Sequence, residues 1–131
     1  MIRTTKFAAL AALTVLAVAC ADGPLQVSNI QLGRSLNPDN SIASPTTLFK
    51  RSETVYVSAL TSAAGSSTIG VKWMYGTRVI DEPTKAASFK GPGATEFHLQ
   101  NSGGFPPGDY SVEVFVDGIS AGMRNFKVDD R

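Results

Sequence analysis

Between Tyr110 and Val116 every second residue is apolar or aromatic, and the run ends at Asp117-Gly118. Tyr110, Val112, Val114 and Val116 therefore form one stripe of a half-buried strand. Asp117-Gly118 suits a two-residue type I′ turn, because glycine accepts positive φ and aspartate tolerates it better than most residues. The chain should then return through Ile119 to Val128. In that return Val116 and Ile119 flank the turn on the inward face, which continues as Ala121 and Met123 before the parity changes to Phe126 and Val128. A bulge within residues 122–125 would reconcile the two stripes.

The same period recurs upstream. Thr68 to Tyr75 places Ile69, Val71, Trp73 and Tyr75 on one face and Lys72 and Met74 on the other, so Trp73 points into the core. Val55 to Ala59 directs Val55, Val57 and Ala59 inward, and Thr95 to Leu99 offers Phe97 and Leu99. Val27 to Leu32 is a first strand without clean alternation. Thr77 to Ile80 forms a short edge that Ala87 to Lys90 continues, punctuated by Pro83, Pro92 and glycines. Ser62 to Ser67 and Asn37 to Ser41 read as loops. The count is about seven strands and no mature helix.

Ahead of the first strand, Arg3 and Lys6 precede a thirteen-residue apolar stretch, Phe7 to Ala19, which ends at the only cysteine, Cys20. The stretch is too short for an ordinary membrane span and has the layout of an export signal. Ala17-Val18-Ala19-Cys20 resembles the lipobox of bacterial lipoproteins, although the usual leucine stands one place early, at Leu16. The resemblance implies cleavage before Cys20 and covalent diacylglyceryl and N-acyl lipid on it. The expected organisation is a signal peptide at 1–19, a lipidated N-terminus and short tether at 20–26, and a domain at 27–131. Ala21 after the cysteine implies the periplasmic face of the outer membrane, with the anchor as the membrane contact. A simply secreted chain or an apolar cytoplasmic helix are the alternative readings of the same residues.

Cleavage would leave 112 of the 131 residues, enough for one modest core. With no second cysteine, an exported domain must fold without disulfides. Removing Arg3 and Lys6 changes Lys+Arg from 12 to 10 against 11 Asp+Glu, a shift from +1 to −1. Neither balance provides the basic field that nucleic-acid binding requires.

Trp73 on the third strand and Gly108-Asp109-Tyr110-Ser111-Val112 at the start of the sixth resemble immunoglobulin-like β-sandwich domains. In such folds the tryptophan packs centrally and the tyrosine hydroxyl bonds to nearby backbone. Val112 stands where antibody domains place a cysteine, and an aliphatic such as Val57 would replace its partner. The resemblance implies an all-β, antiparallel sandwich with a structural core around Trp73, Tyr110, Val57 and Val112. It nominates no ligand, because the sandwich carries many functions.

Catalytic and metal-binding patterns give little purchase. His98, the only histidine, lies between inward Phe97 and Leu99 and should face solvent. No serine occupies a Gly-x-Ser-x-Gly elbow, and a single histidine without a cysteine or carboxylate cluster is weak evidence for zinc. Asp39 and Asn40 offer oxygens for a calcium loop but lack the fuller acidic pattern. The expectation is a non-enzymatic envelope lipoprotein without a cofactor that binds or positions another envelope component, a protein or a glycan. A carbohydrate- or calcium-binding module is the alternative. Outward Tyr56, Met74 and Phe115 form the candidate binding face, and the first strand or Thr77 to Ile80 could pair with an incoming chain. The oligomeric state is left open.

Overall fold

The computed structural model describes residues 23–131. The expected signal segment and Cys20 lie outside the described residues. Alternation in the sequence becomes nine strands: β1 (Val27–Gly33), β2 (Leu48–Phe49), β3 (Val55–Thr61), β4 (Gly65–Tyr75), β5 (Arg78–Asp81), β6 (Thr84–Phe89), β7 (Gly93–Leu99), β8 (Gly108–Val116) and β9 (Ile119–Val128). β1, β3 and β7 form an antiparallel sheet; β2, β9, β8, β4 and β5 form the second in that order, with β6 also paired to β4. The excess over seven comes from β2, which pairs in parallel with the end of β9, and from separate β5 and β6 segments along one edge of β4.

The inward stripes meet between the sheets. Val57, Trp73 and Val112 are fully buried and Tyr110 nearly so, in one cluster with Val55, Ile69, Val114 and Phe97. At one end the packing is aromatic. Phe126 stacks on Tyr110 at 5.2 Å and receives the edges of Trp73 and Phe49. Phe105 adds an edge to Tyr110, and such pairs contribute beyond the area they bury. The Tyr110 hydroxyl donates to the Pro106 carbonyl at 2.6 Å, the corner geometry that its position implies. Burial pushes its phenol above the ordinary range, and neighbouring Tyr75 pushes the same way.

The β8–β9 turn has positive φ at both central residues, 50° at Asp117 and 83° at Gly118. The bulge comes earlier than residues 122–125. Val114 faces Gly122 and Phe115 faces Ser120, so Ala121 is the extra residue. That shift puts Met123 opposite Glu113 on the outer side of the sheet, not in the core. Ile119 is 75% exposed, because β2 pairs only with Lys127 and Val128 and leaves the Ile119 end of β9 without an outer neighbour. Gly122 has φ 141°, and a Cβ there would lie 3.1 Å from Ile30.

Two segments expected as irregular chain differ in detail. The β3–β4 loop is only residues 62–64, since Gly65 already pairs with Phe89. From Gly23 onward, the tether is docked: the Gly23 carbonyl accepts from Ser66 N at 3.1 Å, Leu25 N donates to Ser67 Oγ at 2.8 Å, and the Leu25 side chain is buried. Gly65 allows that approach, because a Cβ on it would sit 2.8 Å from the Gly23 oxygen.

Residues 34–44 fold across the outer side of the three-stranded sheet. Arg34 N bonds Ser44 O, Leu36 bridges to Ile42, and Ile42 is buried. Within the tip, Asn37 N donates to Ser41 O, and the Asn40 carbonyl accepts the Ser58 hydroxyl at 2.8 Å.

Candidate functional site

On β4 and β8 the residues between the buried ones face away from the core. The register sets Met74 beside Ser111, Lys72 beside Glu113 and Gly70 beside Phe115. β5 and β9 widen this surface, since Met74 also pairs with Val79, and Glu113 pairs with Met123. Met74 and Phe115 are half-buried, whereas Val79 and Met123 are 45% and 50% exposed. Lys72 Nζ lies 5.6 Å from the Phe115 ring centroid, so the face alternates apolar side chains with charges. A groove of about 320 Å³ borders Phe115, Gly70, Pro83 and Thr84 and connects the face to the β5–β6 edge. Gly70 leaves room there: a Cβ would come within 3.1 Å of Thr84.

Tyr56 does not join Met74 and Phe115. It is on β3, pairs with His98 on β7 and stacks obliquely on that ring at 5.5 Å. β3 belongs to the other sheet, so the expected three-residue patch is divided between opposite faces of the sandwich. Met123 and Val79 take the place of Tyr56 beside Met74 and Phe115. The sequence carried Val79 as part of an edge strand; Met123 was hidden by the position of the bulge.

The sheet edges differ in how far their backbone is already engaged. β1 is paired along its end by residues 44–46, with Thr46 N donating to Leu32 O, and its Ile30 carbonyl accepts Arg124 Nε. On β7, the Glu96 carbonyl accepts the Lys85 ammonium, which also reaches the Glu96 carboxylate and lies over Phe97. Lys85 occupies an inward position opposite Ile69, and Arg124 one opposite Val112. Inward cations at the two open sides of a sandwich obstruct strand addition there. β2 has only two residues. β6 carries Lys85 itself and is blunted in the same way, whereas β5 pairs with β4 on one side and exposes all four of its residues.

His98 is on the exposed side of β7, and its Nδ1 is 3.2 Å from Glu96 Oε2. The hydroxyl nearest by register, Ser58, is buried and engaged with Asn40, so it is not presented as a nucleophile beside the pair. In the 37–41 loop, one oxygen of Asp39 accepts both the Ser41 amide and hydroxyl protons. The hydroxyl bond, followed by the amide bond, holds the Asp39 carboxyl below its ordinary range. That carboxylate is employed in closing its own turn. Among the described residues no three His, Cys, Asp or Glu side chains converge as a metal-binding group.

No family model matches the chain, and no curated protein does. Among solved structures, it is similar to an immunoglobulin-like protein from Pseudomonas aeruginosa, with a TM-score of 0.56 and 10% identity over 84% of this chain and 100% of that one. Weaker likenesses reach part of a β-glucosidase from Listeria innocua (TM-score 0.47, 15% identity, 76% of this chain and 16% of that one). Another reaches part of the alkylpurine DNA glycosylase of Pseudomonas fluorescens (TM-score 0.48, 15% identity, 83% and 31%). Similarity at this level bears on architecture alone. The strand order, the buried Trp73 and the Tyr110 corner, together with the first of these likenesses, give the chain an immunoglobulin-like β-sandwich fold.

Proposed function

We propose that this protein is a lipid-anchored, non-catalytic envelope module that binds or positions another envelope component through the outer face of its six-stranded sheet. The observation that carries the binding surface is the grouping of Met74, Phe115, Met123 and Val79 on one face that runs out to the β5–β6 edge. Such a surface offers side-chain contacts and, along β5, unpaired backbone to the same partner, so an extended segment could add to the sheet there while its side chains lie beside Val79 and Met74. The envelope location rests on Arg3, Lys6, the apolar stretch and Cys20. A periplasmic position on the outer membrane follows from Ala21 after the cysteine.

The carbohydrate or calcium alternative draws less support. Trp73 and Tyr110 are interior, so they supply no aromatic platform, and Asp39 is engaged by Ser41. In-cell crosslinking of the full chain tests the proposal, with Cys20→Ser and Val79→Asp as variants. The expected result is a reproducible envelope adduct that is lost with Cys20→Ser and weakened by Val79→Asp. An adduct unchanged in both variants would contradict the anchor and the face alike.

A further inference from the structure

We infer that the end of the sandwich bearing residues 62–64 and 90–92 rests against the bilayer, an orientation imposed by how soon the chain is pinned after Cys20. The inference builds on the lipid anchor proposed above. Its structural basis is the docked segment: Gly23 is held by Ser66, Leu25 by Ser67, and the Leu25 side chain is buried against the core. Gly65 lies beneath them so closely that any side chain there would collide with the Gly23 and Pro24 carbonyls. The chain is therefore fixed to the domain from Gly23 onward.

Cys20 is three residues before Gly23. An extended chain covers at most about 3.3–3.6 Å per residue, so the two Cα atoms are no more than about 11 Å apart whatever path joins them. A lipid on Cys20 would thus bring the headgroups to the Gly23 end of the domain.

Register identifies what else occupies that end. Gly65 pairs with Phe89, Thr61 with Gly93, and Val27 with Thr61. The short connections 62–64 and 90–92 accordingly share the end with Gly23. They consist of Ser62, Ala63, Ala64, Lys90, Gly91 and Pro92; Asp39 lies beside Ser62 and Pro92, and the Asp117–Gly118 turn is bonded to Thr68 near the same end, so this end carries acids as well as Lys90. The opposite end, with Tyr75, residues 101–105 and the C-terminal residues near Arg51, is about 33 Å away, one β4 length at 3.3 Å per residue. The outer face and the β5–β6 edge run between the two ends. A partner would therefore approach from the side or from the far end, and not through the 62–64 and 90–92 loops.

Depth-dependent fluorescence quenching tests the orientation. The full lipidated chain, carrying one added cysteine labelled with a small fluorophore (Ser62→Cys, Gly91→Cys or Ser102→Cys), would be placed in phosphatidylethanolamine/phosphatidylglycerol vesicles containing a headgroup-nitroxide lipid. Mass spectrometry of the N-terminal peptide checks the lipid on Cys20 independently. The expected result is quenching several-fold stronger at positions 62 and 91 than at 102. A Gly/Ser insertion of about twelve residues between Asp22 and Gly23, spanning about 19 Å on average, should reduce the difference. Lipid present with equal quenching at all three sites would overturn the orientation alone. An unmodified Cys20 would overturn the anchor and the orientation together.

Discussion

The two outer faces of the sandwich are built from equally regular strands and meet different surroundings. On β3 the outward Ser58 is completely buried, because residues 34–44 fold over the three-stranded sheet and Asn40 takes its hydroxyl proton. On β4 and β8 the outward Lys72, Met74, Glu113 and Phe115 keep part of their surface in solvent. The difference teaches that alternation assigns a side chain to one side of a sheet; a loop from elsewhere decides whether that side is open. It also separates the covered part of the three-stranded sheet around Ser58, which contributes to stability, from the open face of β4 and β8, which is available for contact.

Substitutions can break this comparison at successive depths. The largest effect belongs to the core that both faces share: Trp73→Ala should cost about 3–5 kcal/mol in denaturant unfolding, and a near-neutral result would deny its central packing. On the covered side, Ile42→Ala should cost about 2 kcal/mol, the low end for such a truncation because a loop can relax. Wild-type stability would mean that the cover is not packed against the sheet. Ser58→Ala should cost about 1 kcal/mol by leaving the Asn40 carbonyl without its donor, with faster amide exchange across residues 37–42. Tyr110→Phe, which removes the bond to Pro106, should cost a similar amount. On the open side, Met123→Gln and Val79→Thr should stay within about 0.5 kcal/mol of wild type while altering crosslinking yield.

Acid offers a reversible way to loosen the covered side. The Asp39 carboxyl titrates below its ordinary range because Ser41 bonds the charged form. Its contribution to closing the turn is therefore complete above the unfolded-state value and is lost as pH falls through the lower folded value. Amide exchange at Ser41, compared with its pH dependence in Asp39→Asn, should show selective loss of protection in that acidic window. Protection unchanged down to the folded titration point and below it would contradict the role of the carboxylate.

The legible parts of this fold were those whose signal is local. Ile69, Val71 and Trp73, like Tyr110, Val112 and Val114, reveal their faces by period two, and Asp117-Gly118 reveals the turn between adjacent strands. The paired edge along β4 was also readable, in outline, from Thr77–Ile80 and the proline that follows. What escaped depends on distant contacts. Leu48 and Phe49 form a strand only because β9 lies beside them, and Ser66 and Ser67 look like loop residues until β6 pairs with them. A one-residue bulge at Ala121 reversed the side of Met123, and no sequence period places Tyr56 in a different sheet from Met74.

The most direct measurement places a photocrosslinking amino acid at Val79 or at Tyr56 in the full, membrane-associated chain. Both positions are near the surface, on opposite faces of the same folded domain. A specific adduct from Val79, with little or none from Tyr56, is the predicted result. Equal adducts from both positions, or one confined to Tyr56, would contradict the assignment of the six-stranded face and its β5–β6 edge as the contact surface.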